Sequence, residues 1–149
     1  NRDIKAVLIG ANDQTKQQYE DQAKELKVLD NIEIVKRVEH KKIYDYISQS
    51  KIGVLSNKYD ADGLLFTSPL KLYEYLGSGL KVVVSRLPSI ESNIDQSLVY
   101  YATPENPHSF AKEILNALDD DTFDINKIKE FSKSYTWESR SKSFMKFIS

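Results

Sequence analysis

The sequence predicts an α/β protein built on a Rossmann-like, doubly wound parallel sheet. Short apolar runs alternate with segments of helical spacing, and this alternation is typical of parallel strands joined by helices. Right-handed crossovers between such strands place helices on both faces of the sheet. The predicted strands are residues 6–10, 32–35, 52–55, 82–84 and 98–101.

The first strand is an apolar run that ends in Gly10, and its composition favours a buried strand. The next segment places apolar residues at intervals of three or four among polar ones, which indicates a helix over about 19–29. A turn at Asp30 and Asn31 precedes the second strand, and a short helix starting near His40 leads to the third.

A polar loop over 56–67 then leads to a helix, the fourth strand, a turn at Pro88 and the fifth strand. From Pro107 onward the spacing of apolar residues is helical. The 149 residues show no internal repeat and no interdomain linker, so we predict a single domain over 1–149 with terminal helices at 107–149.

The bulk composition indicates a soluble globular protein, with 40% apolar and 29% charged residues. A net charge of -1 argues against non-specific nucleic-acid binding, which depends on surplus Lys and Arg. The chain contains no cysteine, which excludes disulfides and thiolate metal sites and favours a cytoplasmic location. No signal peptide or run long enough to cross a bilayer is visible.

The segment 66–84 carries the most specific information. Ser68 is a residue preferred at a helix N-cap, and Pro69 suits the first helical position because its missing N–H needs no partner there. Gly77 and Gly79 are expected to end the helix before the strand 82–84, which is apolar enough to be buried on both faces.

Lys71 is unusual because it places a cation in the first turn of this helix, where the macrodipole is already positive. An anion bound there would make the position favourable. Free backbone N–H groups at Leu70 and Lys71, together with the ammonium group, describe a phosphate site. Ordinary helix capping is the alternative interpretation of the Ser68–Pro69 pair.

This segment resembles a motif of retaining GT-B glycosyltransferases of the group 1 (family 4) type, which has the pattern Ser-Pro-x-Lys-x-x-Glu-Tyr. Here the matching residues are 68–75, followed by Gly79 and the strand 82–84. The resemblance extends less specifically over nearly the whole chain. It implies that the chain is the C-terminal, sugar-nucleotide-binding half of a GT-B fold, and that the N-terminal acceptor domain is absent.

Carried over by position, the resemblance assigns a role to each candidate residue. Lys71 and Glu74 are the candidate catalytic residues, and Glu74 is expected to accept hydrogen bonds from the ribose hydroxyls. Asp62 and Gly63 are expected near the donor sugar, and Arg37 and Val38 near the base. The diphosphate would be held by Ser68, Pro69, Leu70 and Lys71.

The resemblance further implies a hexosyltransferase that uses a UDP-sugar without a metal and serves polysaccharide biosynthesis. The abundance of Lys, Asn, Ile and Tyr suggests a bacterial source. The acceptor of this hexosyltransferase would be a glycan or lipid-linked, and the fragment alone would be inactive. Peripheral contact with the inner membrane would come from the absent domain. The sequence departs from the family at Phe66, where many members carry a Glu that forms a pair with the position of Glu74.

Other interpretations remain open at this level. A stand-alone flavodoxin-like binding or regulatory domain would use an acidic cluster after the first strand, where Asn12 and Asp13 stand. A sugar-nucleotide epimerase is another. Asp60 and Asp62 form an Asp-x-Asp pattern, which can bind a metal ion but more often belongs to an ordinary polar loop. A dinucleotide site is excluded because no Gly-x-Gly-x-x-Gly follows the first strand. Ser85 and Arg86 are further sugar-side candidates at the end of the fourth strand.

Overall fold

The computed structural model describes residues 3–60 and 70–148, in which every strand pairs in parallel with its neighbours. Two compact units are present, Asn1–Tyr46 and Ile47–Ser149. The strands are β1 (Ala6–Ala11), β2 (Ile32–Lys36), β3 (Ile52–Leu55), β4 (Lys81–Ser85) and β5 (Tyr100–Ala102). The helices are α1 (Asp13–Glu25), α2 (His40–Gln49), α3 (Leu70–Gly77), α4 (Pro88–Glu91), α5 (Pro107–Asp119), α6 (Ile125–Ser134) and α7 (Trp137–Ile148).

In the first unit, β1 and β2 pair from Ala6 opposite Ile32 onward, with a register shift between Ile9 and Ala11. Gly10 lies at this shift with φ +109°, a conformation that glycine adopts without steric cost. Helix α1 then begins with a capping box, in which Asn12 accepts from the Thr15 amide at 2.8 Å and Thr15 accepts from the Asn12 amide at 2.9 Å.

The prediction that β1 is a buried strand was wrong. Val7 and Leu8 are 43% and 38% exposed, whereas Ile34 of β2 is only 6% exposed. Helix α1 packs mainly on β2, and this packing explains the difference. An apolar run indicates that a strand is suited to burial. It does not indicate how much of that strand a neighbouring helix will cover.

In the second unit the strand order is β3–β4–β5, with β4 in the centre. Val82, Val83 and Val84 are fully buried, so the predicted burial of this strand on both faces is confirmed. Val82 and Val84 belong to one core cluster, and Val83 belongs to another. The first cluster includes residues from α3 and α6, and the second includes residues from α5. Helices therefore cover both faces of β4.

Lys81, the first residue of β4, fastens the end of α5. Its Nζ donates to the carbonyl oxygens of Ala117 at 2.8 Å and Asp120 at 2.5 Å. A cation at a helix C-terminus satisfies carbonyl groups that lack intrahelical partners and favours the negative end of the dipole. The Tyr100 hydroxyl donates to the Asp120 carboxylate at 2.6 Å, which ties β5 to the same helix end.

None of the helices in the described ranges is long and apolar enough to cross a membrane.

Candidate functional site

Helix α3 carries three of the predicted site residues. Leu70 and Lys71 are its first two residues and both are exposed, Leu70 to 63%. The first four N–H groups of any α-helix lack intrahelical acceptors. The start of α3 therefore presents backbone donors next to the Lys71 ammonium group, and this combination of charges favours a bound anion.

Glu74 lies one turn after Lys71 and is half-buried. Its backbone carbonyl accepts from the Ser78 amide at 3.0 Å and from the Ser78 hydroxyl at 2.8 Å. The Glu74 backbone is thus fixed in the last turn of the helix. Residues three apart on a helix share a face, so Lys71 and Glu74 lie on the same side of α3.

The buried side of α3 is formed by Leu72 and Leu76, which are 1% and 0% exposed. Tyr73 stacks on Tyr135 of the α6–α7 connection at 5.2 Å between ring centroids. Helical spacing predicts Leu72, Tyr73 and Leu76 as the packing residues of this helix, and these contacts confirm it. They hold the helix against the core of the second unit, so its exposed start is carried on a fixed support.

Helical spacing predicts Tyr75 on the same face as Lys71 and Glu74. In the structure its ring packs against the core. The backbone of Gly53 in β3 lies beneath its ring, and a Cβ built on Gly53 would come within 2.3 Å of Tyr75 Cδ2. The missing side chain of Gly53 therefore makes room for the ring. Burial raises the pKa of the Tyr75 hydroxyl, and the charge of Glu74 raises it further.

The left-handed residue that stops the helix is Gly79 and not Gly77. Gly77 is the last residue of α3, whereas Gly79 has φ +78°. The Leu80 amide donates to the Tyr75 carbonyl at 3.0 Å, and the Gly79 amide donates to the Leu76 carbonyl at 2.9 Å. This bond pattern is a Schellman motif, which requires a left-handed residue at the position of Gly79.

Ser85, which the sequence placed among the sugar-side candidates, is fully buried at the end of β4. Its hydroxyl donates to the Asn57 carbonyl at 2.7 Å. A sugar hydroxyl therefore has no access to it, and the assignment to the sugar is corrected. The hydroxyl instead holds the loop that follows β3. Sequence reasoning missed Asn57 because a backbone carbonyl acceptor leaves no trace in the residue type.

Arg86 is held by protein groups. Its guanidinium donates to the Glu91 carboxylate at 2.6 Å and lies 4.9 Å from the centroid of the Tyr101 ring. The Arg86 amide donates to the Ala102 carbonyl at 2.8 Å. These contacts give Arg86 a structural role, since it links α4 to β5.

Arg37 and Val38 follow β2 in the first unit. The Arg37 amide donates to the Ala11 carbonyl at 3.2 Å, its side chain is exposed, and Val38 is half-buried. Asp62, Gly63, Phe66, Ser68 and Pro69 lie outside the described residues, so their assigned roles stay predictions. Among the candidate residues that the structure describes, Leu70, Lys71 and Glu74 lie together on one helix.

The residues needed by the flavodoxin-like alternative have other partners. The Asn12 side chain caps α1, and Asp13 forms an ion pair with Lys36. The hydrogen bond and charge of Lys36 hold the pKa of the Asp13 carboxyl below its usual range. The Asp13–Lys36 ion pair is a structural contact, so it gives no specific support to a phosphoacceptor site.

Comparison with known proteins identifies a matching family and two solved structures of similar fold. A family model described as "Glycosyl transferases group 1" matches residues 1–120. Comparison with curated proteins gives no match. Sucrose-phosphate synthase from Thermosynechococcus elongatus superposes with a TM-score of 0.77 at 17% identity, covering 95% of this chain and 37% of that one.

A glycosyltransferase from Rickettsia africae superposes with a TM-score of 0.68 at 14% identity, covering 89% of this chain and 34% of that one. At such identities the likeness establishes the fold alone. It confirms the predicted Rossmann-like half of a GT-B fold. The chain spans about a third of the length of these solved structures.

Proposed function

The chain belongs to the group 1 glycosyl transferases, and from this membership we propose that it binds the nucleotide-diphosphate-sugar donor of a retaining glycosyltransferase. The observation that carries the proposal is the start of α3, where exposed Lys71 stands beside N–H groups that lack intrahelical acceptors. A diphosphate supplies the negative charge that this arrangement favours.

Lys71 and the helix dipole would act chiefly on the leaving group. Negative charge builds on the departing diphosphate as its bond to the sugar breaks. Donors that already point at that charge stabilise the transition state more than the ground state. In this proposal Lys71 neutralises the leaving diphosphate, and no metal ion is required for that role.

Glu74 would accept hydrogen bonds from the ribose hydroxyls. Its position one turn after Lys71 fits a ligand that runs along the face of α3 from the diphosphate to the ribose. Arg37 and Val38 would face the base through their backbone. Asp62 and Gly63 would lie near the donor sugar, and Ser68 and Pro69 would complete the diphosphate site.

Sugar transfer itself would need a second, N-terminal domain that holds the acceptor. The coverage of 37% and 34% of the two solved structures supports such a division. We propose a hexosyltransferase acting on a glycan or lipid-linked acceptor in bacterial polysaccharide biosynthesis, with UDP-sugar as donor. The protein would be cytoplasmic, any peripheral membrane contact would come from the other domain, and this chain alone would bind the donor without turning it over.

The proposal is tested by titrating the chain with UDP, GDP and ADP in a calorimeter, with and without a chelator. We expect one nucleotide to bind, UDP by our assignment, with a dissociation constant that the chelator leaves unchanged. Absence of binding by all three at millimolar concentration would contradict the proposal and favour a stand-alone binding domain for another ligand. Binding that the chelator abolishes would contradict its metal independence.

The ribose contact is tested separately with Glu74→Ala. We expect this variant to bind the ribonucleotide about 10- to 150-fold more weakly, because hydrogen bonds to a charged group contribute about 1.5–3 kcal/mol. The 2′,3′-dideoxy nucleotide should bind wild type and variant equally, since it lacks both hydroxyls. An equal loss for both nucleotides would show that Glu74 acts on something other than the ribose.

A further inference from the structure

Helix α3 is held against the core on both sides of its buried ridge. Leu72 and Leu76 form this ridge and are 1% and 0% exposed. Because successive residues of an α-helix are about 100° apart around its axis, Tyr73 lies on one side of the ridge and Tyr75 on the other. Both rings pack against the core of the second unit. Contacts on the two sides of the ridge therefore determine the rotation of α3 about its own axis.

The two sides of the ridge rest on different kinds of support. Tyr75 lies over the backbone of Gly53, which pairs with Val82 in the β3–β4 ladder. Tyr73 stacks on Tyr135, with 5.2 Å between ring centroids and 22° between ring planes. A strand backbone is fixed by its ladder, whereas a side chain supports a neighbour only as firmly as it is packed itself. The rotation of α3 therefore depends on how Tyr135 is held.

Tyr135 is itself held at its backbone, its ring and its hydroxyl. It is the C-cap of α6, and its amide donates to the Ser132 carbonyl at 3.1 Å. Its ring centroid lies 4.5 Å from that of Phe131, which packs against the core. Its hydroxyl donates to the carbonyl of Asn93, which follows α4, at 3.4 Å. Tyr135 therefore joins the end of α6 to the side of α3.

The rotation of α3 decides where its exposed side chains face. Lys71 and Glu74 lie on the side of the helix away from the buried ridge. A rotation of α3 by about 20° would move an atom at its surface, about 5–6 Å from the axis, by about 2 Å. A hydrogen bond to a phosphate oxygen is lost over such a distance. Resting on the proposed donor site, we infer that Tyr135 is a positioning residue for that site: by stacking on Tyr73 it sets the direction in which Lys71 and Glu74 face, without touching the donor.

The expected consequence of removing the stack is a weaker nucleotide affinity. Tyr135→Leu keeps an apolar side chain but removes the ring, so that α3 also adopts rotations in which Lys71 is misplaced. An aromatic pair contributes enough to change such a population by about 2- to 10-fold. Since the apparent affinity falls by the factor by which the competent population falls, the dissociation constant should rise by about 2- to 10-fold.

Two further variants separate this role from general stability. Tyr135→Phe keeps the ring and removes only the hydroxyl, so it should bind the nucleotide like wild type. Phe123→Leu removes a ring from another stacked pair, with centroids 5.5 Å apart, whose second member is Tyr100 of β5 rather than a residue of α3. Phe123 packs against the same core cluster as Tyr73, so this variant should lose stability and keep wild-type affinity.

The experiment is a titration of the 149-residue chain with UDP, GDP and ADP, under conditions where thermal melts show that each variant is folded. Tyr135→Leu is measured alone and in a Lys71→Ala background. Substitutions that act through one contact are not additive, whereas independent ones are. We expect Tyr135→Leu to weaken binding less in the Lys71→Ala background, because Lys71 is then no longer there to be misplaced. A merely structural effect of Tyr135 would give the same factor in both backgrounds.

If Tyr135→Leu does not fold, Tyr73→Leu removes the same stack from its other side, and leucine is a good helix former. Wild-type affinity in the folded variant overturns the inference. An equal loss of affinity in Phe123→Leu, in Tyr135→Phe or in both Lys71 backgrounds also overturns it. If the wild-type chain binds none of the three nucleotides, the proposed donor site itself is contradicted, and the inference falls with it.

Discussion

At the scale of single residues, Gly53 shows how strongly one missing side chain determines the seat of α3. The Tyr75 ring occupies the space that a Cβ on Gly53 would need, with Cδ2 at 2.3 Å and Cγ at 2.7 Å from the position that the Cβ would take. We expect Gly53→Ala to lower the free energy of unfolding by about 1–3 kcal/mol, the usual cost of overpacking. Urea denaturation followed by circular dichroism measures this change.

Gly77→Ala is the matched control for Gly53→Ala. A Cβ on Gly77 meets no atom within 4 Å, and the residue ends α3 without a left-handed conformation. We expect it to be neutral or stabilising by up to about 1 kcal/mol, because alanine favours the helix. Equal effects of the two substitutions would show that the Tyr75 contact does not determine the loss.

Asp120 gives a prediction for pH dependence. The Tyr100 hydroxyl, followed by the Thr122 hydroxyl and amide, lowers the pKa of the Asp120 carboxyl to about 2. Because the folded-state pKa lies below the usual value of about 3.9, its contribution to stability is complete above that value and is lost as the pH falls towards 2. We expect Tyr100→Phe to lose stability less steeply than wild type between about pH 5 and pH 2.

The measurement is the urea midpoint of each protein at several pH values in that window. Asp13, Asp21 and Asp95 also have lowered pKa values, but their partners are the same in both proteins. The difference between the two slopes therefore reports on Asp120. Parallel slopes would mean that the Tyr100 hydroxyl does not hold the carboxylate in the folded state.

Residue type alone selects some candidates and gives no information on other contacts. Lys71 stands out as a candidate because a cation in the first turn of a helix is locally unfavourable, and its role in binding stays a prediction. Ser85 and Arg86 are predicted on the sugar side, but they contact Asn57 and Glu91 instead. The Tyr75 ring packs over Gly53. The Asn57 and Gly53 contacts join segments that are distant in sequence, so they depend on the folded chain.

At the scale of elements, two helices end in the same way with different residues. Lys27 follows α1 with φ 57°, and the Val28 amide donates to the Ala23 carbonyl at 2.9 Å. This is the Schellman pattern that Gly79 forms after α3. Only Gly79 adopts the left-handed conformation without a steric cost.

Reciprocal substitutions test this difference. We expect Gly79→Ala to destabilise the protein by about 1–2 kcal/mol, the cost of a left-handed conformation for a residue with a Cβ. Lys27→Gly should stabilise it by about 0.5–1 kcal/mol, because strain relief exceeds the entropy that glycine loses. Urea unfolding measures both, and a destabilising Lys27→Gly would contradict the account of the α1 terminus.

All five predicted strands are present in the structure, with ends that differ from the predicted ones by at most two residues. The largest difference is at β5, which begins at Tyr100 although Leu98 and Val99 are also buried. The Leu98 amide donates to the Asp95 carbonyl at 2.9 Å in a turn, so these residues are buried without joining the ladder. Apolar content therefore predicts which residues are buried. It does not predict which of them form strand hydrogen bonds, because a turn can take up their amide groups.

At the scale of the whole molecule, the alternation of strands and helices was sufficient to predict the fold class, which the solved structures confirm. The alternation predicts the fold class because parallel strands must be joined by long crossover connections, and the connections in this chain contain helices. The proposed donor site is less accessible to sequence reasoning. Its candidate residues come from distant segments of the sequence, and their assignment depended on the family motif at 68–75 rather than on periodicity.

The central claim is that Lys71, at the start of α3, binds the diphosphate of the donor. The most direct test compares Lys71→Ala with Lys112→Ala, which removes an exposed lysine from α5. The ligands are the nucleoside diphosphate that wild type binds most tightly and its parent nucleoside, and the quantity is the dissociation constant.

We predict that Lys71→Ala weakens diphosphate binding by about 10-fold or more and leaves nucleoside binding unchanged, whereas Lys112→Ala leaves both unchanged. Equal diphosphate affinities in the two variants would contradict the claim.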